Sequence, residues 1–140
     1  MQTLRRLEFP FVQTTNNQAN KEVTMPELKN ERAIAEQFLK EMLKADDTGN
    51  YELFVKHYEE KDLVDFSPER FEHDIKHMQA RNGRNVGYEY FGALQGYRED
   101  DHDGCFRFVW KGIYEKREAL IVIGIHRKND TWYINESAVR

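Results

Sequence analysis

The stretch Cys105–Val139, CFRFVWKGIYEKREALIVIGIHRKNDTWYINESAV, decides the fold. Its apolar residues recur at every second position, the period of a half-buried strand. It divides into Cys105–Glu115, Ala119–Arg127 and Thr131–Val139, separated by Lys116-Arg117 and Asn129-Asp130. Connections that short predict antiparallel hairpins. A two-residue turn at Asn129-Asp130 sets Ile125 opposite Ile134 and Ile123 opposite Glu136. A two-residue turn at Lys116-Arg117 sets Trp110 opposite Ile123 and Phe108 opposite Ile125. Both registers then gather Phe106, Phe108, Trp110, Ile121, Ile123, Ile125, Trp132 and Ile134 on one face, and a slip of one residue would scatter them. The opposite face, carrying Arg107, Val109, Lys111, Ile113, Val122, Gly124, His126, Tyr133, Asn135 and Ser137, is mixed rather than plainly polar. Half-apolar outer faces pack against other subunits, so a homodimer through the back of the sheet is expected.

Upstream, Val86–Tyr97 reads as one more strand, rich in tyrosine and followed by the acidic loop Glu99–Gly104. Before Val86 the period becomes helical. Ile34, Phe38, Met42 and Ala45, with Ala35 and Leu39 beside them, form one stripe of a helix from about Leu28 to Ala45. Thr24 and Glu27 have capping-box spacing, and Pro26 suits a first turn. Asp46-Asp47-Thr48-Gly49-Asn50 stops that helix, and a short one follows with Leu53, Phe54 and Tyr58 inward. Ser67-Pro68-Glu69 opens a third, bearing Phe71, Ile75 and Met78 on its apolar side, and Asn82-Gly83 closes it. Residues 1–23 read as an N-terminal arm and linker, with the apolar cluster Leu4, Leu7, Phe9 and Phe11 ahead of polar Thr14–Glu22. Residues 24–140 read as a single α+β domain, three helices packed on a curved antiparallel sheet of about four strands.

A chain of 140 residues is long enough for a real core, and with 39% hydrophobic but 13% aromatic residues that core rests on large rings. A formal charge of −4 and no basic cluster longer than Arg5-Arg6 argue against nucleic acid. Cys105 is alone, so no intramolecular disulfide forms, and no apolar stretch approaches membrane-spanning length. Without an apolar leader, cytoplasmic residence is the default expectation.

Three helices laid on an antiparallel sheet that ends in a W-x-I strand resemble the NTF2-like (cystatin-like, SnoaL-like) superfamily. The resemblance is carried by Phe38–Asn50 (FLKEMLKADDTGN), the short helix at Tyr51-Glu52-Leu53-Phe54, and Thr131-Trp132-Tyr133-Ile134 after its KND hairpin. It spans about residues 27–139 and is nearest to small domains of unknown function. The resemblance implies a conical pocket and frequent dimers. It does not choose among isomerases, dehydratases, hydrolases, transport adaptors and assembly domains.

The register places Glu136 among Trp110, Ile123 and Ile134, where burial would raise its pKa toward a range useful for proton transfer. Glu136 is therefore the candidate catalytic group, and Phe108, Trp110, Ile123, Trp132 and Glu136 the candidate ligand-binding wall. The Asp–His and Asp–Arg–Asp sets of related enzymes have no counterpart here. Glu69, His73 and His77 have metal-ligand spacing but fall opposite the apolar side of their helix, so they read as a solvated row. The acidic loop lacks the Asp and Glu positions of a calcium site. His57 reads as a helix-terminal histidine within reach of the pocket rim, and Cys105 has no visible base partner. No metal or cofactor is expected. The favoured function is a non-catalytic binding or interaction module for a small apolar ligand or a peptide. The alternatives are a cofactor-independent lyase, isomerase or hydrolase using the pocket carboxylate, and a dimeric assembly domain whose cone is filled by its own rings.

Overall fold

The computed structural model describes residues 14–94 and 104–140, with side chains from residue 29 onward. Helices come first: α1 (Thr14–Thr48), α2 (Tyr51–Val55), a 3-10 turn (Glu60–Leu63) and α3 (Pro68–Asn82). Strands follow: β1 (Asn85–Leu94), β2 (Phe106–Tyr114), β3 (Glu118–Lys128) and β4 (Thr131–Val139). They form one open antiparallel sheet in the order β1-β2-β3-β4, so the α+β class stands. The apolar cluster Leu4–Phe11, Tyr97 and the acidic residues Glu99–Asp103 lie outside the described residues. Ala33–Arg140 makes up one compact unit, separate from the unit that ends at Arg32. Among the described residues no helix is long and apolar enough to cross a membrane.

The first helix is longer than its apolar stripe. Thr14–Glu22, expected as a linker, is helical, and Pro26 lies inside α1 rather than in its first turn. Nucleation is the costly step of helix formation and extension is cheap, so a turn fixed by packing propagates into polar sequence. The stripe itself is as expected: Ala35, Phe38, Leu39, Met42 and Ala45 are buried. Asn50 caps α2, its side chain accepting the Leu53 N–H at 3.0 Å. Ser67 caps α3 by accepting the Arg70 N–H at 3.1 Å, with Pro68 in the first turn. Gly83 ends α3 at φ 80°, the left-handed region that glycine enters without steric cost.

Beneath the α1 stripe lie Phe108, Trp110, Ile121, Ile123 and Ile125, all without solvent exposure. Each such side chain contributes roughly 1.5–3 kcal/mol relative to exposure. The β2–β3 register, however, differs from expectation by two residues. Trp110 stands opposite Ile121 and Phe108 opposite Ile123. The turn is Glu115-Lys116, closed by the Tyr114 N–H to the Arg117 carbonyl at 3.1 Å. Its place is set from outside the hairpin. Glu115 and Lys116 donate their N–H groups to the Arg84 and Asn82 carbonyls at 3.0 and 2.8 Å. An even shift preserves the alternation of side chains, so the apolar face survives intact.

The β3–β4 hairpin departs by one residue, which matters more. Asn129 and Asp130 both adopt positive φ, 52° and 65°, and Ile125 faces Ile134 as expected. Beyond that pair the ladder slips: Gly124 pairs with Glu136 and Ile123 with Ser137, leaving Asn135 as the extra residue of a bulge. The expected pairing of Glu136 with Ile123 is therefore corrected. Glu136 lies on the outer face, and Ser137 takes its place inside. Gly124 permits this, because a Cβ there would stand 3.1 Å from Asn135 Oδ1 and 3.2 Å from Glu136 Cβ. Past α2 the chain runs along β4, where Tyr58 forms a parallel bridge with Ile134 and His57 accepts the Ile134 N–H at 2.8 Å.

Candidate functional site

The five residues expected to line a pocket separate into three environments. Phe108, Trp110 and Ile123 are solid core, filled by α1. Trp132 is half-buried at the margin of the same face, its ring 6.1 Å from Phe106 with the Arg127 guanidinium 6.0 Å above it. Glu136 is on the other face, Oε1 2.6 Å from Arg107. The space available to a ligand lies beside this core rather than within it.

That space is a cleft of about 640 Å³. Its helical wall carries Phe54 and Tyr58 at α2, Leu63 and Phe66 in the following turn, and Phe71, Ile75 and Met78 of α3. Ser137, Ala138 and Val139 of β4 form the facing wall, Met42 and Asp46 of α1 contribute, and charged side chains including Asp62, Asp74, Arg81 and Arg140 also line it. Glu136 borders it from the strand, with its carboxylate turned to Arg107. The rings hold one another in place: Phe54 lies 4.9 Å from Phe71, 5.5 Å from Phe66 and 6.0 Å from Tyr58. The bulge at Asn135 supplies a polar fixed point, since Ser137, now facing inward, meets the Tyr58 hydroxyl at 2.5 Å.

Asp46 is the group that sequence reading missed. It lies in the last turn of α1, four residues after Met42 and so on the apolar stripe. Burial pushes its carboxyl up from 3.8 to about 7. Burial likewise pushes the hydroxyls of Tyr58 and Tyr114 up to about 12, with the Asp46 charge adding to both. The signal was present in the periodicity, because a carboxylate in line with Phe38 and Met42 cannot turn away from the core without ending the helix there. Asp46-Asp47 reads first as a helix stop, but both lie inside α1, which ends before Gly49 at φ 68°, and Asp47 pairs with Arg84 at the surface.

The remaining candidates resolve by geometry. His57 does not reach the cleft: it stacks on Phe38 at 4.3 Å, with Nε2 2.8 Å from Glu41, and so ties α2 to α1. His73 and His77 are exposed, as their spacing implied, yet they stand on the cleft rim with Nε2 atoms 3.0 Å apart. Among the described residues no three histidine, cysteine, aspartate or glutamate side chains converge as metal ligands. Cys105 is buried, with Asn135 Nδ2 3.6 Å from its sulfur. A second buried polar cluster, invisible in the sequence, joins the chain after α2 to β3: Glu59 Oε2 lies 2.5 Å from His126 Nε2, and Lys128 Nζ 2.9 Å from Oε1. Comparison with protein-family models, curated proteins and solved structures yields no match to this chain.

Proposed function

We propose that this chain is a non-catalytic binding module that holds a small, mostly apolar ligand in the cleft between the α2–α3 wall and β4. The observation that carries this reading is the cleft itself. At about 640 Å³ it falls in the size range of ligand sites, its rings and aliphatic side chains mixed with polar and charged ones. We propose further that the chain is NTF2-like, a reading supported by the element order and the W-x-I final strand. Native mass spectrometry of freshly purified protein tests the binding reading. An adduct released on denaturation, and missing from a cleft-filling Ile75→Trp variant that still melts cooperatively, supports it. An unliganded mass, together with failure of wild type to bind an apolar fluorescent probe, defeats it.

The position of Asp46 favours a second reading, in which a carboxylate in the cleft transfers protons in a cofactor-independent lyase, isomerase or hydrolase. A carboxyl raised to about 7 is poised between donor and acceptor forms near neutral pH. Under this reading Asp46→Asn abolishes turnover while leaving ligand retention in place. Assembly is a further proposal, carried by Phe91 and Leu120, which leave 60% and 39% of their surface open on the strands. A homodimer through the outer sheet face would cover both.

A further inference from the structure

The half-buried Asp46 side chain lines the cleft without a partner for its carboxylate. Among the described residues none donates a hydrogen bond to it, and no cation offsets its burial. Arg81, a guanidinium of the cleft lining, is committed elsewhere: Nη2 to the Val139 carbonyl at 3.0 Å and Nε to Asn82 at 3.3 Å. The position of Asp46 adds to the mismatch. It stands in the last turn of α1, at the negative end of the helix dipole, and that turn contains no basic residue. Its neighbour Asp47 has its arginine; Asp46 has none. The wall around it is aromatic, and ring faces attract cations as a carboxylate does. Every feature that makes the site poor for a lone anion makes it good for an incoming cation.

Resting on the binding reading above, we propose that the cleft takes an organic cation, an ammonium group carried on an apolar body. The charge pairs with Asp46, and the body lies along the rings of Phe54, Phe66 and Phe71. Two other carboxylates of the lining already have arginine partners. Asp74 pairs with Arg70 at 3.4 Å, and Glu136 pairs with Arg107. Asp62, His73, His77, Arg81 and Arg140 complete the titratable and charged set, with Tyr58 after α2 and Tyr114 of β2 both within reach of the Asp46 charge.

Calorimetric titration with n-octylammonium and 1-octanol, two probes of equal chain length, tests the proposal on the full chain. At about pH 8 the ammonium should bind wild type roughly tenfold or more tightly than the alcohol, because it supplies the opposite charge that an already desolvated carboxylate lacks. In Asp46→Asn that preference should vanish, the two probes then binding alike. Wild type alone gives an independent check. As pH rises through about 7 the ammonium should bind more tightly and octanol should not. Octanol and octylammonium binding alike in wild type, or a preference that survives in Asp46→Asn, overturns the cation proposal and leaves the apolar cleft standing. Binding of neither probe overturns the cleft reading itself.

Discussion

Gly112 marks a place where one methyl group is too much. A Cβ at this position would stand 2.7 Å from both Ile121 Cδ1 and Tyr114 Cε1, and Ile121 is fully buried with nowhere to retreat. Gly112→Ala should therefore lower stability by about 1–3 kcal/mol, read as a fall in the urea midpoint. Gly92→Ala, with nothing within 4 Å of its Cβ, should leave the midpoint nearly unchanged. Charged residues give two opposite pH signatures. The hydrogen bond from Lys128 holds the Glu59 carboxyl at about 2, assisted by His126 against the effect of burial. The unfolded chain protonates the same group near 4.5, so its stabilisation is complete above 4.5 and disappears as pH falls toward 2. Subtracting Glu59→Gln from wild type in thermal melts across this window should isolate that slope. Asp46 has the reverse sign. Its folded form holds a proton that the unfolded chain releases, so its contribution falls as pH rises from 3.8 to about 7 and stays low above. Asp46→Asn should consequently gain on wild type in melting temperature across that interval.

Among the elements, β4 shows what a sequence pattern can and cannot carry. The alternation of apolar residues in Phe106–Trp110, Ile121–Ile125 and Trp132–Ile134 made the buried face legible, because side-chain parity survives any even error in register. That is why moving the turn from Lys116-Arg117 to Glu115-Lys116 did no harm to the fold. The bulge was not legible. It depends on Gly124 across the sheet, whose missing side chain accommodates Asn135 and Glu136 together, and no local feature of TWYINESAV announces it. One extra residue moved Glu136 out of the core and put Ser137 against Tyr58. The cleft was hidden for a related reason, since its facing wall requires the chain after α2 to return to β4 through the Tyr58–Ile134 bridge. Asp46 was within reach of the helical period and was overlooked beside a stronger stop signal. The bulge predicts an unusual deletion phenotype. Removing Asn135 leaves Ile134 opposite Ile125 and Ser137 opposite Ile123, so every inward side chain keeps its direction. Its cost in chemical denaturation should stay within about 1 kcal/mol, whereas deleting Tyr133 reverses the strand's outer half and should unfold the domain.

For the whole molecule, the two faces of the sheet divide the tasks. The inner face is closed by α1, and the outer one is only partly polar. There Lys111 stands 3.7 Å from Glu89 and 3.6 Å from Glu118, with its ammonium 6.0 Å from the centre of the exposed Phe91 ring. If the proposed dimer forms through this surface, Phe91→Glu places a fourth charge in the middle of the patch. Sedimentation of the variant should then give the monomer mass where wild type gives twice that. A monomeric wild type removes the assembly proposal without touching the cleft. One backbone hydrogen bond has a wider consequence. By giving its N–H to His57, Ile134 uses a group on the border of an open sheet that a foreign strand would otherwise seize. At the opposite border, β1 loses regular spacing twice, at Asn85/Gly87 and Tyr90/Gly92, and offers no straight template. Fibril growth by strand accretion thus meets a plugged margin on one side and a crooked one on the other.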